Sequence, residues 1–347
     1  AVYARMPERV ELAVQKGGDD ARVGDLARAV SLVGAKVRPD GAAAVAAAWG
    51  RATSFELKLR LIRAMAAMAA MRDRSLEAPL AAAAREADPV LRMAAVEAVA
   101  AQAQAGTFGG DAVLRAALRD GDPGVRRAGV DGVAMLKDGA GIQAKVLAHD
   151  SWPLVRRAAA DGLGAACKGD AAARAALVRA VSGEGKALAG ADAAEEVRRA
   201  ALASLGRCGD VPLATFTAVL TEKRQPMSVR EQAAAFVAKH GGGEAARALA
   251  AALDDVLGDP NADERSAGLA IACTRALART GDTSRPVLEA LGQAANEPMS
   301  APVRAAAMET IGKLCPDGAA SALHKGAGDP DGSVKRAARS ALERCKK

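Results

Sequence analysis

The chain has little of what enclosed chemical sites are usually built from. Aromatic residues make up 2% of its 347 residues: four Phe, two Trp and one Tyr. With so few rings, layers of Ala, Val and Leu must supply any core. Histidine occurs three times, as His149, His240 and His324, and no two lie four residues apart. A helical His pair for a metal is therefore absent, and each His is read as a solvated turn residue. The five Cys include no Cys-x-x-Cys, which removes the usual closed zinc site. SGEGKAL at Ser182 resembles a phosphate loop only superficially: Ala187 stands where Ser or Thr is needed, and the first Gly is missing at the right offset. No apolar run approaches the ~18–20 residues that span a bilayer. Lys+Arg 48 against Asp+Glu 41 leaves +7, a mild excess over so long a chain and less than a dedicated nucleic-acid binder carries.

What is present is a repeat. Asp-Pro-x-Val-Arg-x-x-Ala-x-x-x-Leu returns as DPVLRMAAVEAV at Asp88, DPGVRRAGVDGV at Asp122 and SWPLVRRAAADGL at Ser151. Further copies are EEVRRAALASL at Glu195, MSVREQAAAFV at Met227, APVRAAAMETI at Ala301 and DGSVKRAARSAL at Asp331. Each opens like a helix, with an oxygen-bearing side chain to cap free N–H groups. Pro89, Pro123 and Pro330 are placed in the first turn, where a missing N–H costs nothing. Apolar residues follow at helical spacing, as in Val125, Gly129, Gly132 and Val133. A second apolar helix precedes each copy, so the unit is two antiparallel helices with a tight turn. A repeat at this period stacks on its neighbours to bury a face it cannot bury alone. The expected fold is all-α, a right-handed α-α superhelix of about ten two-helix repeats. It is read as one continuous array over 1–347, divergent over 1–74 and clear over 75–347. The longer turns, SGEGKALAGADAAEE at Ser182 and DDVLGDPNADERS at Asp254, fall inside repeats.

The Asp-Pro turn, the Val and the following basic residue resemble the HEAT-repeat family in its short prokaryotic form. That residue is Arg92, Arg126, Arg156, Arg198, Arg230 and Arg304, with Lys335 in the last copy. The resemblance implies that it joins a ladder of buried polar contacts with the turns of neighbouring repeats, with carboxylates such as Asp122 and Asp150 as partners. The copy near Asn261 departs, with Glu264 where Val is expected. The His-Glu dyads of iron-dependent HEAT-repeat hydroxylases are missing, because no His here is followed by Glu. HEAT-like DNA glycosylases shelter a nucleotide with aromatic residues, and this chain has no aromatic cluster in sequence. Trp152 sits at a repeat turn and is read as a packing residue.

Arg-Arg doublets recur in register with the ladder. Their second members, Arg127, Arg157 and Arg199, with Arg336 in the last copy, are expected to face the concave side. There they would form a basic stripe for an acidic protein segment, with nucleic acid the lesser reading. The plainer alternative is local pairing of Arg127 with Asp131 and Arg157 with Asp161. The expected function is a non-catalytic binding or scaffold solenoid, with no cofactor and no metal. The alternative is a HEAT-like enzyme or enzyme-associated module, lyase-like or DNA-glycosylase-like.

Four Cys sit just past the last core residue of a second helix: Cys167, Cys208, Cys315 and Cys345. Cys273 lies in an apolar helix face. Two bridges, Cys167–Cys208 and Cys315–Cys345, with Cys273 free, would suit an exported protein. Cys standing in for Ala or Val in a reducing cytosol is the competing reading. The chain opens on Ala1 rather than Met, consistent with removal of a leading segment. Together these favour a periplasmic or extracellular location over a cytoplasmic one. Heavy use of Ala, Arg and Gly points to a GC-rich bacterial genome.

Overall fold

The computed structural model describes residues 22–25, 28–29, 41–69, 72–106, 110–182, 191–259, 264–296 and 299–346. The longer turns expected over 183–190 and 260–263, and the side chains of Glu264 and Arg265, lie outside the described residues, as do Tyr3 and most of the DLARAVSLVG segment. Contacts cluster into two compact units, Ala1–Ala166 and Cys167–Lys347.

The first unit contains α1 (Gly41–Trp49), α2 (Phe55–Ala67), α3 (Glu77–Ala83), α4 (Pro89–Gln104), α5 (Asp111–Ala117), α6 (Pro123–Val133), α7 (Gly139–His149) and α8 (Pro153–Ala166). The second contains α9 (Ala171–Ser182), α10 (Glu195–Cys208), α11 (Leu213–Thr221), α12 (Met227–His240), α13 (Gly242–Leu257), α14 (Glu264–Thr280), α15 (Arg285–Ala294), α16 (Ala301–Leu314), α17 (Ala319–Ala327) and α18 (Gly332–Cys345). No strand occurs among the described residues. Odd and even helices pair into hairpins, and within each unit every even-numbered second helix packs on the next. Nine hairpins are thus described, and the fold is an all-α helical repeat.

Sequence sets the helix starts. Ser54, Asp88, Asp122 and Asp331 each cap a second helix, accepting from the N–H of Leu57, Val90, Gly124 and Ser333 at 3.2, 2.8, 2.8 and 2.7 Å. Pro89 and Pro123 occupy the first turn as expected. Pro330 does not: it precedes the cap Asp331, and α18 begins at Gly332. Two aspartates therefore flank that proline, one in the turn and one at the cap. Trp152 also departs from expectation. It is 53% exposed, held through its backbone: its N–H donates to Asp150 at 2.8 Å, and its carbonyl accepts from the N–H of Val155 and Arg156 at 3.1 Å each.

Small residues set the distance between layers. α6 buries Val125, Ala128, Gly129 and Val133, and α8 buries Val155, Ala159, Ala160 and Leu163. Gly312 in α16 faces α18 so closely that an added Cβ would lie 2.6 Å from the Ala341 Cα. A backbone atom cannot move aside as a side-chain tip can. Gly312→Val is therefore expected to cost about 1–3 kcal/mol by overpacking. Gly292→Ala in α15, where an added Cβ meets nothing within 4 Å, should instead stabilise by about 0.5–1 kcal/mol through helix propensity. Urea titration of both variants distinguishes the two signs.

Candidate functional site

The ladder residues stand at the seams between successive second helices. In the first unit Arg92 grips Asp120 through two bonds of 2.8 Å, and Arg126 grips Asp150 at 2.8 and 3.1 Å. Each guanidinium also donates from Nη1 to the turn before its own helix. Arg92 reaches the Glu86 and Ala87 carbonyls, Arg126 those of Asp120 and Gly121, and Arg156 that of Asp150. One side chain thereby ties its own turn to the turn of the next repeat. The planar fork of arginine suits this bidentate geometry.

The second unit varies the theme. Arg304 grips Asp329 through two bonds of 2.8 Å and donates to the Met299 carbonyl. Arg198 donates to the Asp192 carbonyl and to Gln225 Oε1, the latter at 3.0 Å. Arg230, nearly buried, donates to the Leu220 carbonyl at 2.8 Å and lies 3.6 Å from Asp255. Lys335 is half-buried in the corresponding place on α18.

One ladder assignment needs correction. Asp122 is the cap of α6, bonded to the N–H of Gly124 and Val125, and so is not the partner of an arginine. The partner stands two residues earlier, at Asp120, and likewise at Asp329 before the cap Asp331. From there the carboxylate faces the preceding repeat while also accepting the N–H of the cap residue, at 2.8 Å in both cases. The Arg92 bonds hold the Asp120 carboxyl below the usual carboxylate range, and Arg304 does the same to Asp329. The ladder also begins earlier than the repeat pattern suggested. Lys58 of α2 reaches Glu86 at 2.8 Å in the same seam position. The signal was its spacing: Lys58 lies four residues after the cap Ser54, as Arg92 does after Asp88.

The four residues proposed for a basic stripe fall two in each unit. Arg127 and Arg157 lie on adjacent helices, each with its Nε 3.9 Å from a carboxylate on its own helix, Asp131 and Asp161. In the second unit Arg199 is on α10 and Arg336 on α18, with α12, α14 and α16 between them. On α12 the doublet position is Glu231. Arg336 instead lines a shallow cavity of about 430 Å³ with Lys313, Arg344, Ser333, Ser340 and Glu309.

A disulfide joins Cys167 to Cys208 with Cα atoms 5.3 Å apart, and another joins Cys315 to Cys345 at 5.4 Å. Cys273 is a free, fully buried thiol, pushed by burial up to about 12. The histidines lie in the last turns of helices rather than in turns: His149 in α7, His240 in α12 and His324 in α17. Cations are favoured at that end of a helix. His240 packs at a tilt against Phe216, with ring centroids 5.2 Å apart, and its two ring nitrogens face the Phe236 and Val211 carbonyls at 2.9 and 3.1 Å. Phe216 and Phe236, 5.3 Å apart, line a cleft of about 170 Å³ with Lys239 and His240. No carboxylate lines it. Among the described residues no group of three or more His, Cys, Asp or Glu could hold a metal ion, and no helix is long and apolar enough to cross a membrane.

No protein-family model and no curated protein sequence matches the chain. Among solved structures it is similar to a mutant of Kap121p, at 13% identity over 97% of this chain and 43% of that one, with a TM-score of 0.57. It is also similar to an engineered protein, at 18% identity over 97% and 99% of the two chains, with a TM-score of 0.43. A third is Kap95p, whose binding to RanGDP that structure describes, at 11% identity over 94% and 56%, with a TM-score of 0.49. This chain spans less than half the length of the Kap121p chain. The Kap121p likeness concerns the fold alone, and with the stacked hairpins and seam arginines it identifies a HEAT-like helical repeat.

Proposed function

We propose that this chain is a non-catalytic scaffold that holds a protein partner along the exposed faces of its second helices. One observation carries this reading. Within each unit the second helices pack side by side and leave the same register positions exposed, so polar side chains repeat in rows about 8–10 Å apart. Rows offer an extended surface, whereas a chemical site needs polar groups that converge in a pocket. The enzyme reading, lyase-like or glycosylase-like, calls for an aromatic pair with a carboxylate. The cleft at Phe216 and Phe236 supplies the pair with Lys239 and His240 instead.

Partner capture tests the surface. The full chain, immobilised and exposed to extract of its own organism, should retain a protein that Arg127→Glu/Arg157→Glu releases. Its thermal midpoint should stay nearly unchanged, because both arginines are exposed and make only long local pairs. Retention of the same partner by that variant would remove these two residues from the surface. Absence of any stoichiometric protein partner for the unaltered chain would overturn the scaffold reading.

A further inference from the structure

The second helices of the second unit share a feature that those of the first unit lack. Each carries a basic residue in its last turn: Arg207 in α10, Lys239 in α12, Arg279 in α14, Lys313 in α16 and Arg344 in α18. The last turns of α2, α4, α6 and α8 have none. Four of the five stand nine residues after a ladder position: 198 to 207, 230 to 239, 304 to 313 and 335 to 344. Nine residues are two and a half turns of helix, so these side chains point away from the seam that the ladder closes. All five are exposed. In the first unit the same offset gives Ala67, Ala101, Met135 and Ala165.

The helix macrodipole favours a cation at a C-terminal turn. It does not require one, since the four second helices of the first unit have none. Contacts join the five into a row. Arg279 Nη2 donates to the Ala235 carbonyl at 2.8 Å, one turn before Lys239. Arg344 Nε donates to the Gly312 carbonyl at 3.4 Å, next to Lys313. Arg275 lies 4.0 Å from Glu309, one turn before Arg279 and Lys313 respectively. Lys239 shares the Phe216 cleft with Gly206, the neighbour of Arg207.

We propose that this row docks an extended acidic protein segment with carboxylates at about every third residue, an inference that rests on the scaffold reading. Neighbouring second helices place one cation every ~8–10 Å. An extended chain in the polyproline II conformation has three residues per turn and rises ~3.1 Å per residue, so every third side chain faces the same way and meets a cation. Duplex DNA presents a charge about every 1.7 Å and a single strand about every 3.4 Å, several times denser than the row. Glu309 and Glu343 also interrupt it. A continuous polyanion meets both carboxylates, whereas a segment with spaced charges can step over them.

The test uses the full chain and a fluorescent peptide of repeated Glu-Gly-Ser, read by polarisation at low salt. Binding is expected to weaken at least tenfold in Lys239→Glu/Lys313→Glu, to weaken with added salt, and to be unchanged in Lys137→Glu, a change at an exposed turn of the first unit. Circular dichroism checks that each variant folds, and Lys239→Gln/Lys313→Gln, expected to lose less, replaces the reversal if it does not. Peptide binding that ignores both changes, or no binding by the unaltered chain, overturns the row as a docking surface. Tighter binding of an oligothymidylate than of the peptide overturns the choice of partner. A natural protein partner kept by Lys239→Glu/Lys313→Glu and lost by Arg127→Glu/Arg157→Glu overturns this inference while leaving the scaffold reading intact.

Discussion

Reduction of the two disulfides should destabilise the second unit by about 3–4 kcal/mol per bridge in the chain-entropy picture, a model-dependent figure. The bridges close loops with sequence separations of 41 and 30 residues, long enough for their loss to release substantial unfolded-state entropy. In a domain of this size each kcal/mol shifts the melting midpoint by about 2–4 °C. Cys315 offers a sharper test. It ends α16 in a left-handed conformation, φ 43°, where glycine would be unstrained. A non-glycine residue costs about 1–2 kcal/mol there, which a bonded sulfur offsets and a free thiol does not. Cys315→Gly should therefore be less stable than the unaltered chain under oxidising conditions, and equal or more stable under reducing ones. Mass spectrometry after alkylation supplies the count. The native chain should take no label, since Cys273 is buried with its thiol pushed up to about 12. Denaturation without reductant should expose one thiol, and reduction all five, with a gain of four hydrogens in the intact mass. Five thiols labelled in the native protein would overturn both bridges. They would also remove the reason to expect an oxidising compartment.

The repeat was legible in the sequence because each layer writes the same constraints at the same offsets. Cap, Val and Arg must recur wherever a second helix starts and meets its neighbour, so Asp88, Asp122 and Asp331 could be placed without coordinates. Ladder partners were harder to read. Asp120 and Asp122 are both turn aspartates two residues apart, and only the direction in which each carboxylate points assigns one to the seam and the other to the cap. Pro330 misled for the same reason: the proline sits inside the Asp-x-Asp pair instead of after it. Lys58 was hidden because its repeat lacks the Asp-Pro turn, although its spacing from the cap is regular. The doublets were overread. The shared Val-basic-Arg-Ala-Ala run at Arg199 and Arg336 says nothing about the three helices between them. The last-turn cations lie nine residues beyond the motif's arginine, where neither a cap nor a core position constrains the sequence.

Arg126→Ala should cost about 2–4 kcal/mol, since it removes the fork from the half-buried Asp150 carboxylate, which keeps the Trp152 N–H, and takes a donor from the carbonyls of Asp120 and Gly121. Arg126→Lys keeps the charge but cannot make two parallel bonds, so it should lose roughly half as much. The loss falls on a term that couples one repeat to the next, and coupling of this kind makes a helical array unfold as a unit. Arg126→Ala should accordingly lower the urea m-value as well as the midpoint, whereas an exposed change such as Arg127→Ala should move neither. Acid offers an independent reading of the same ladder. Asp120 and Asp329 are held below the usual carboxylate range by Arg92 and Arg304. An aspartate in the unfolded chain titrates near ~3.9, so their stabilising contribution is complete above that pH and is lost as pH falls through the lower folded value. Asp120→Asn should be less stable than the unaltered chain at neutral pH, and the gap should narrow below about pH 4. A gap that stays constant down to about pH 2, or Arg126→Ala melting with the unaltered chain, would show that the seam bonds contribute nothing to the coupling of repeats.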